Sequence, residues 1–156
     1  MAFRVRNLGE LYPAERIRAK QAGVFREIKT VRVMDGGTLR TVARFADDLI
    51  VTSSSVDGRG TGTEPQTVTT STAKATVSGG YAPYSYLWQR IANGGGTGSS
   101  AQFPASASTN FSKPSVPVDA VYTDTWRVTV TDSTGATATA TISAIFNNVE
   151  INTGGN

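Results

Sequence analysis

The chain has 156 residues, of which 38% are apolar, with 15 Lys and Arg against 12 Asp and Glu and neither a cysteine nor a histidine. That length holds one ordinary domain or two small ones. The missing side chains exclude disulfide frameworks, thiolate nucleophiles, Ser-His-Asp and Cys-His machinery and histidine-based metal hydrolysis, while a carboxylate-only glycosidase stays formally open.

Residues 1–13 read as an irregular arm, and Met1-Ala2-Phe3-Arg4-Val5-Arg6 lacks the apolar core of a secretory signal. A block then repeats at a spacing of 14 residues: Arg16 to Ile28 is R-I-R-A-K-Q-A-G-V-F-R-E-I, and Thr30 to Val42 is T-V-R-V-M-D-G-G-T-L-R-T-V. Arg18 matches Arg32, Gly23 matches Gly37, Arg26 matches Arg40 and Phe25 matches Leu39. Taken alone, Ala14 to Ala22 looks helical, with Pro13 ahead of Glu15, Arg16, Ala19, Lys20 and Gln21. Its counterpart is β-branched and ends in Asp35-Gly36-Gly37, a hairpin signal. Two copies of one unit share one structure, so the repeat predicts a strand, a glycine turn and a second strand in each.

Residues 47–66 run from Asp47-Asp48 through Ser53-Ser54-Ser55 to Gly58-Arg59-Gly60-Thr61-Gly62 and read as a flexible linker. Residues 67–147 alternate with period two. Ala73, Ala75 and Val77 share a face, as do Trp126, Val128 and Val130, and Ala138, Ala140, Ile142, Ala144 and Phe146. Asp132-Ser133-Thr134-Gly135 is a hairpin loop between the last two runs. One such sheet would leave its apolar face wet, so a second must cover it, and about 80 residues suffice for a seven-stranded sandwich. Residues 148–156 read as a tail. The predicted class is all-β: a basic arm with duplicated hairpins over 1–46, a linker and a sandwich.

Charge divides along the same line. Residues 1–45 hold ten Lys and Arg against four Asp and Glu, a net of +6, and residues 46–156 hold five against eight, a net of −3. The basic residues lie at regular spacing on alternating strands, without interleaved stacking aromatics, which favours a solvated or protein-binding face over nucleic acid. No apolar stretch reaches the roughly 18 residues of a membrane span, so no membrane insertion is expected.

Gly79-Gly80-Tyr81-Ala82-Pro83-Tyr84-Ser85-Tyr86-Leu87-Trp88-Gln89 resembles the B–C region of immunoglobulin-like and polycystic-kidney-disease-like domains, with Trp88 in the place of the strand-C tryptophan. Thr125 to Ala136 resembles strands F and G. The tryptophan-aspartate-phenylalanine-glycine-aspartate run of polycystic-kidney-disease repeats is missing, and Ala75 and Val128 stand near the places of the two antibody cysteines. The front segment, Ile17-Arg18-Ala19 with Gly23-Val24-Phe25-Arg26 and Val31-Arg32-Val33 with Gly37-Thr38-Leu39-Arg40, resembles repeats of bacteriophage tail proteins, which often carry an immunoglobulin-like domain beside them. Leu39 departs from the aromatic of that pattern.

Each chemical motif has a plainer reading beside it. Asp47-Asp48 reads as a strand cap and boundary rather than paired carboxylates. The glycine runs 58–62 and 94–98 lack the strand, helix and lysine of a phosphate loop. Asp119, Asp124 and Asp132 suit turn chemistry better than calcium, which needs six to eight oxygens. Tyr84, Tyr86 and Trp88 share one face and belong in the core, which leaves Tyr81 as the aromatic for an exposed host-surface contact. Arg18, Arg26, Arg32 and Arg40, with Phe25 and Leu39, are the expected assembly interface; the arginines suit either acidic residues of a neighbour or edge protection.

These readings converge on a non-enzymatic structural protein of a phage virion, in the tail at its tip or fibres, made in the host cytoplasm. No catalytic residue, metal or cofactor is expected. The expected partners are other virion proteins, further copies of the chain and a host surface glycan. The alternative is a carbohydrate-binding or adhesive module of a bacterial surface protein.

Overall fold

The computed structural model describes residues 18–21, 24–27, 30–44 and 46–151, so the N-terminal arm lies outside the described residues. The chain forms two compact units, Met1–Ala46 and Asp47–Asn156.

The first unit holds β1 (Arg18–Gln21), β2 (Val24–Glu27), β3 (Thr30–Asp35) and β4 (Thr38–Arg44). β1 pairs β2 and β3 pairs β4, both antiparallel, each pair forming its own two-stranded sheet. Arg18 is a strand residue, so the repeat outweighs the helical composition around it. The two registers coincide after a shift of one repeat. Arg18 opposite Glu27, Ala19 opposite Arg26, Lys20 opposite Phe25 and Gln21 opposite Val24 become Arg32 opposite Thr41, Val33 opposite Arg40, Met34 opposite Leu39 and Asp35 opposite Thr38. Gly36 and Gly37 close the second hairpin with φ of 56° and 81°, the positive values that both centres of a type I′ turn require. Further from the turn, Val31 faces Ala43 while Arg32 faces Thr41, so β4 carries one extra residue there.

The second unit holds β5 (Ile50–Thr52), β6 (Val56–Gly62), β7 (Gln66–Thr69), β8 (Ala73–Lys74), β9 (Thr76–Ser78), β10 (Ser85–Ala92), β11 (Ser100–Ala101), β12 (Ser108–Thr109), β13 (Phe111–Val116), β14 (Ala120–Thr131) and β15 (Thr137–Glu150). One sheet has the order β10-β14-β15-β6, antiparallel except that β6 runs parallel to β15. The opposing layer is built from β11-β13-β7, β12-β8 and β5-β9. Because β7, β8 and β9 follow one another along the chain, as do β12 and β13, this layer amounts to one interrupted strand pairing another, with short strands at either side. The arrangement is that of an immunoglobulin-like sandwich, ABED against CFG with an added parallel edge strand.

The expected linker is therefore part of the sandwich. β5 and β6 occupy its middle, and Val51 and Val56 are buried in the core. Glycine and serine there serve packing instead of flexibility. The Ser53–Ser55 run turns the chain between two paired strands, and a β-carbon at Gly58 would run into the Thr69 carbonyl and the Thr70 backbone. The boundary falls after Ala46, and β15 continues to Glu150, so the first residues of the expected tail belong to the last strand.

The alternation read from the sequence places the core correctly. Trp126, Val128 and Val130 are buried, as are Ile142, Ala144 and Phe146, with Ala138 and Ala140 half-buried against them. Phe111 from β13 lies between the two tryptophans of the opposite sheet. Its ring stacks on Trp126 at 4.5 Å between centroids and meets Trp88 edge-on at 5.6 Å and 71°. Burial and ring geometry act together here. Phe111→Ala is expected to lower the unfolding free energy by about 3–5 kcal/mol, while Phe103→Ala, at a ring 59% exposed, changes it by less than about 0.5 kcal/mol. Denaturant unfolding followed by tryptophan fluorescence checks both, and equal losses at the two positions would contradict the assigned core.

Candidate binding surface

The expected assembly residues occupy defined register positions. Arg18 opposite Glu27 and Arg26 opposite Ala19 are adjacent pairs in the ladder, and successive pairs alternate between faces. The same holds for Arg32 opposite Thr41 and Arg40 opposite Val33. The arginines thus recur at equivalent register positions between hairpins, Arg18 with Arg32 and Arg26 with Arg40. Phe25 and Leu39 stand one pair beyond Arg26 and Arg40 in the register. Arg32 is exposed.

Tyr81 is half-buried, not fully presented to solvent. Its amide donates to Asp132 Oδ2 at 2.9 Å, and its carbonyl accepts from the Ser133 amide at 2.9 Å, so the turn before β10 is tied to the β14–β15 loop. Tyr84, Tyr86 and Trp88 pack into or against the core. Asp132 performs the expected turn chemistry. The Thr134 hydroxyl and amide and the Ala136 amide reach Oδ1 at 2.7, 2.8 and 3.0 Å. The Thr134 hydroxyl is the largest influence on this carboxyl; burial works against it, and with the three backbone amides the net effect holds the group below its ordinary range.

Asp124 corrects the expectation of a loop aspartate. It lies within β14, fully buried, and pairs with the equally buried Lys113 of β13 at 3.0 Å. Its Oδ2 accepts from the Ser99 amide at 2.8 Å and hydroxyl at 2.5 Å, and its Oδ1 from the Gly94 amide at 2.9 Å. Trp126 Nε1 donates to the Ser99 hydroxyl at 3.1 Å, Arg90 donates to the Ser99 carbonyl, and Lys113 also reaches Asn93 Oδ1 at 3.1 Å. The ammonium stands 5.1 Å from the centre of the Tyr122 ring and 5.7 Å from that of Phe146. Burial pushes the Asp124 carboxyl up, but the Ser99 hydroxyl, the Gly94 and Ser99 amides and Lys113 together outweigh it and hold the group below its ordinary value. A second buried amide, Asn148, receives Gln66 Nε2 at 2.6 Å and donates to the Glu64 and Val116 carbonyls.

The sequence carried a signal for this network. Lys113 is two residues from Phe111, and Asp124 is two residues before Trp126, so strand period places both inward. The aspartates considered for calcium are separated by the fold: Asp119 precedes β14, Asp124 sits inside it and Asp132 follows it.

The surface also holds two adjoining open basins. One, of about 440 Å³, lies between the Ser53–Ser55 turn and a wall of Ser71, Thr72 and Lys74. The other, of about 410 Å³, has Asp57, Arg59, Ile145 and Asn147 around it, and the two share Ser55 and Val56. Lys74, Asp57 and Arg59 are exposed, and neither cation has an acidic partner among the described residues. Ser53 Oγ is buried without a hydrogen-bond partner. Sequence reading passed over this region because its residues looked like linker.

No protein-family model matches the chain, and no curated protein matches it. Among solved structures it is similar, at 16% identity and a TM-score of 0.45, to a nucleoside hydrolase-related hypothetical protein from Saccharophagus degradans associated with carbohydrate metabolism; the match covers 67% of this chain and 26% of that longer one. It is similar to the PKD domain of human KIAA0319 at 20% identity and a TM-score of 0.39, covering 70% of this chain and 88% of that domain. A conjugative transposon lipoprotein from Bacteroides eggerthii matches at 12% identity and a TM-score of 0.35, over 62% of this chain and 95% of the other. These are distant likenesses, and none speaks to activity.

The buried pair generates two expectations. A folded-state carboxyl held below its unfolded value of about 3.9 contributes stability that is complete above that value and is lost as pH falls through the folded-state one. The thermal midpoint should therefore fall as pH drops below about 4, and Asp124→Asn should flatten that dependence. Lys113→Met leaves the carboxylate buried without its cation and should cost about 3–5 kcal/mol. Thermal unfolding across pH and denaturant titration measure these; a wild-type acid profile retained in Asp124→Asn would contradict the assignment.

Proposed function

We propose that the chain is a non-enzymatic structural protein of a bacteriophage virion, in the tail at its tip or fibres, which docks through its hairpin unit and displays its sandwich toward the host surface. The observation that carries this reading is the pair of hairpins in one repeated register. Each is a sheet of only two strands, and such a sheet is marginal in water without a packed layer. A larger assembly supplies that layer. Arginines recurring at equivalent positions, Arg18 with Arg32 and Arg26 with Arg40, offer each hairpin the same forked donors toward acidic residues of neighbouring virion proteins or of further copies. The net charges of +6 over residues 1–45 and −3 over residues 46–156 fit a chain whose halves face different partners. Several copies on one particle would multiply weak contacts between sandwich and host.

The test is incorporation. A chain lacking residues 18–44 should be absent from purified particles, while one lacking residues 47–156, the whole sandwich unit, should still be incorporated. Incorporation without the hairpins, or absence of the intact chain from particles, overturns the proposal.

A further inference from the structure

We propose that the two adjoining basins around the Ser53–Ser55 turn form one binding groove for an acidic oligosaccharide. This rests on the reading of the sandwich as the host-facing part and moves the contact away from Tyr81, which is half-buried and tied into a turn.

Three observations carry it. First, size and continuity suit a chain of several sugars. Basins of about 440 and 410 Å³, each within the range of ligand pockets, meet at Ser55 and Val56, which line both. Second, the lining matches a polyhydroxylated ligand. Serine and threonine hydroxyls both donate and accept, as sugar hydroxyls do, and Asp57 and Asn147 add an acceptor pair and an amide beside the half-buried Ile145. Third, the charges point to acidic substituents. Lys74 lines one basin and Arg59 the other, both exposed and without a carboxylate partner among the described residues. Against the one carboxylate of Asp57, these two cations leave the lining with a net positive charge, which favours carboxylated sugars over neutral ones.

Asp124 and Lys113 take no part, since they satisfy each other inside the core. The exposed apolar residues Leu87, Ile91 and Phe103 lie elsewhere and are of the wrong chemistry for a sugar acid.

The experiment is a titration of the isotope-labelled full chain, followed by amide shifts, with trigalacturonate, maltotriose and inorganic phosphate. Trigalacturonate should shift amides within residues 52–59, 71–76 and 145–147 and leave Tyr81 unmoved. Lys74→Ala and Arg59→Ala should each weaken binding about tenfold, the loss of one charge-assisted hydrogen bond, without changing the unfolding midpoint. Absence of shifts in the groove overturns the site. Equal binding of maltotriose overturns the acidic assignment, and the same shifts with phosphate reduce the groove to an anion site and overturn the sugar. Any of these failures leaves the virion reading standing, because incorporation into particles is measured independently.

Discussion

The Phe111 ring, held between Trp126 and Trp88, fixes the phase of three strands at once. With Phe111 inward on β13 and the indoles inward on β14 and β10, the neighbours two residues away at Lys113, Tyr86, Asp124 and Val128 also turn toward the core. On β14 this continues Trp126 into Val128 and Val130, which seals the sandwich. The same rule turns Lys113 and Asp124 inward, where neither can stay charged alone. Their pairing follows from the aromatic contact, and Ser99, Gly94 and Asn93 complete the hydrogen bonds that a buried pair requires. A replacement of the pair by well-packed apolar residues could be as stable. What the pair adds is a specific cross-link between the two sheets and an anchor for the glycine-rich loop after β10.

How much of this could be read in advance varies with the element. Regular alternation made the Trp126–Val130 half of β14 and the Ala138–Phe146 run of β15 legible, and Trp88 was placed in the core by its company of tyrosines. The repeat made the hairpin register legible, since it forced two dissimilar segments into one conformation. The stretch 47–66 was misread because its glycines and serines carry the composition of a linker, while their use is close backbone approach: Gly58 lies against Thr69, a contact between residues of different strands that composition cannot express. Asp124 was misread as a loop residue for a related reason. Its partners Ser99, Gly94 and Lys113 come from other segments, and only the strand phase announced that it points inward.

The two units obey one constraint with opposite outcomes. In Asp47–Asn156 each sheet finds a cover in the other, and the core of valines, alanines and aromatics is the result. In Met1–Ala46 the described strands form two separate pairs, each too thin to bury a face between its own strands. A sequence that repeats so thin a unit, with arginine at matching positions, is suited to being completed by something else. Display of a self-sufficient sandwich from a dependent docking segment is the role we propose for that division.

The proposed dependence of the hairpins on a partner is tested most directly by amide hydrogen–deuterium exchange along residues 18–44, in the purified chain and in intact particles. The account predicts rapid exchange there in the solitary chain, beside strong protection of β13 and β14, and slow exchange throughout residues 18–44 once assembled. Strong protection of those amides in the solitary chain would contradict it.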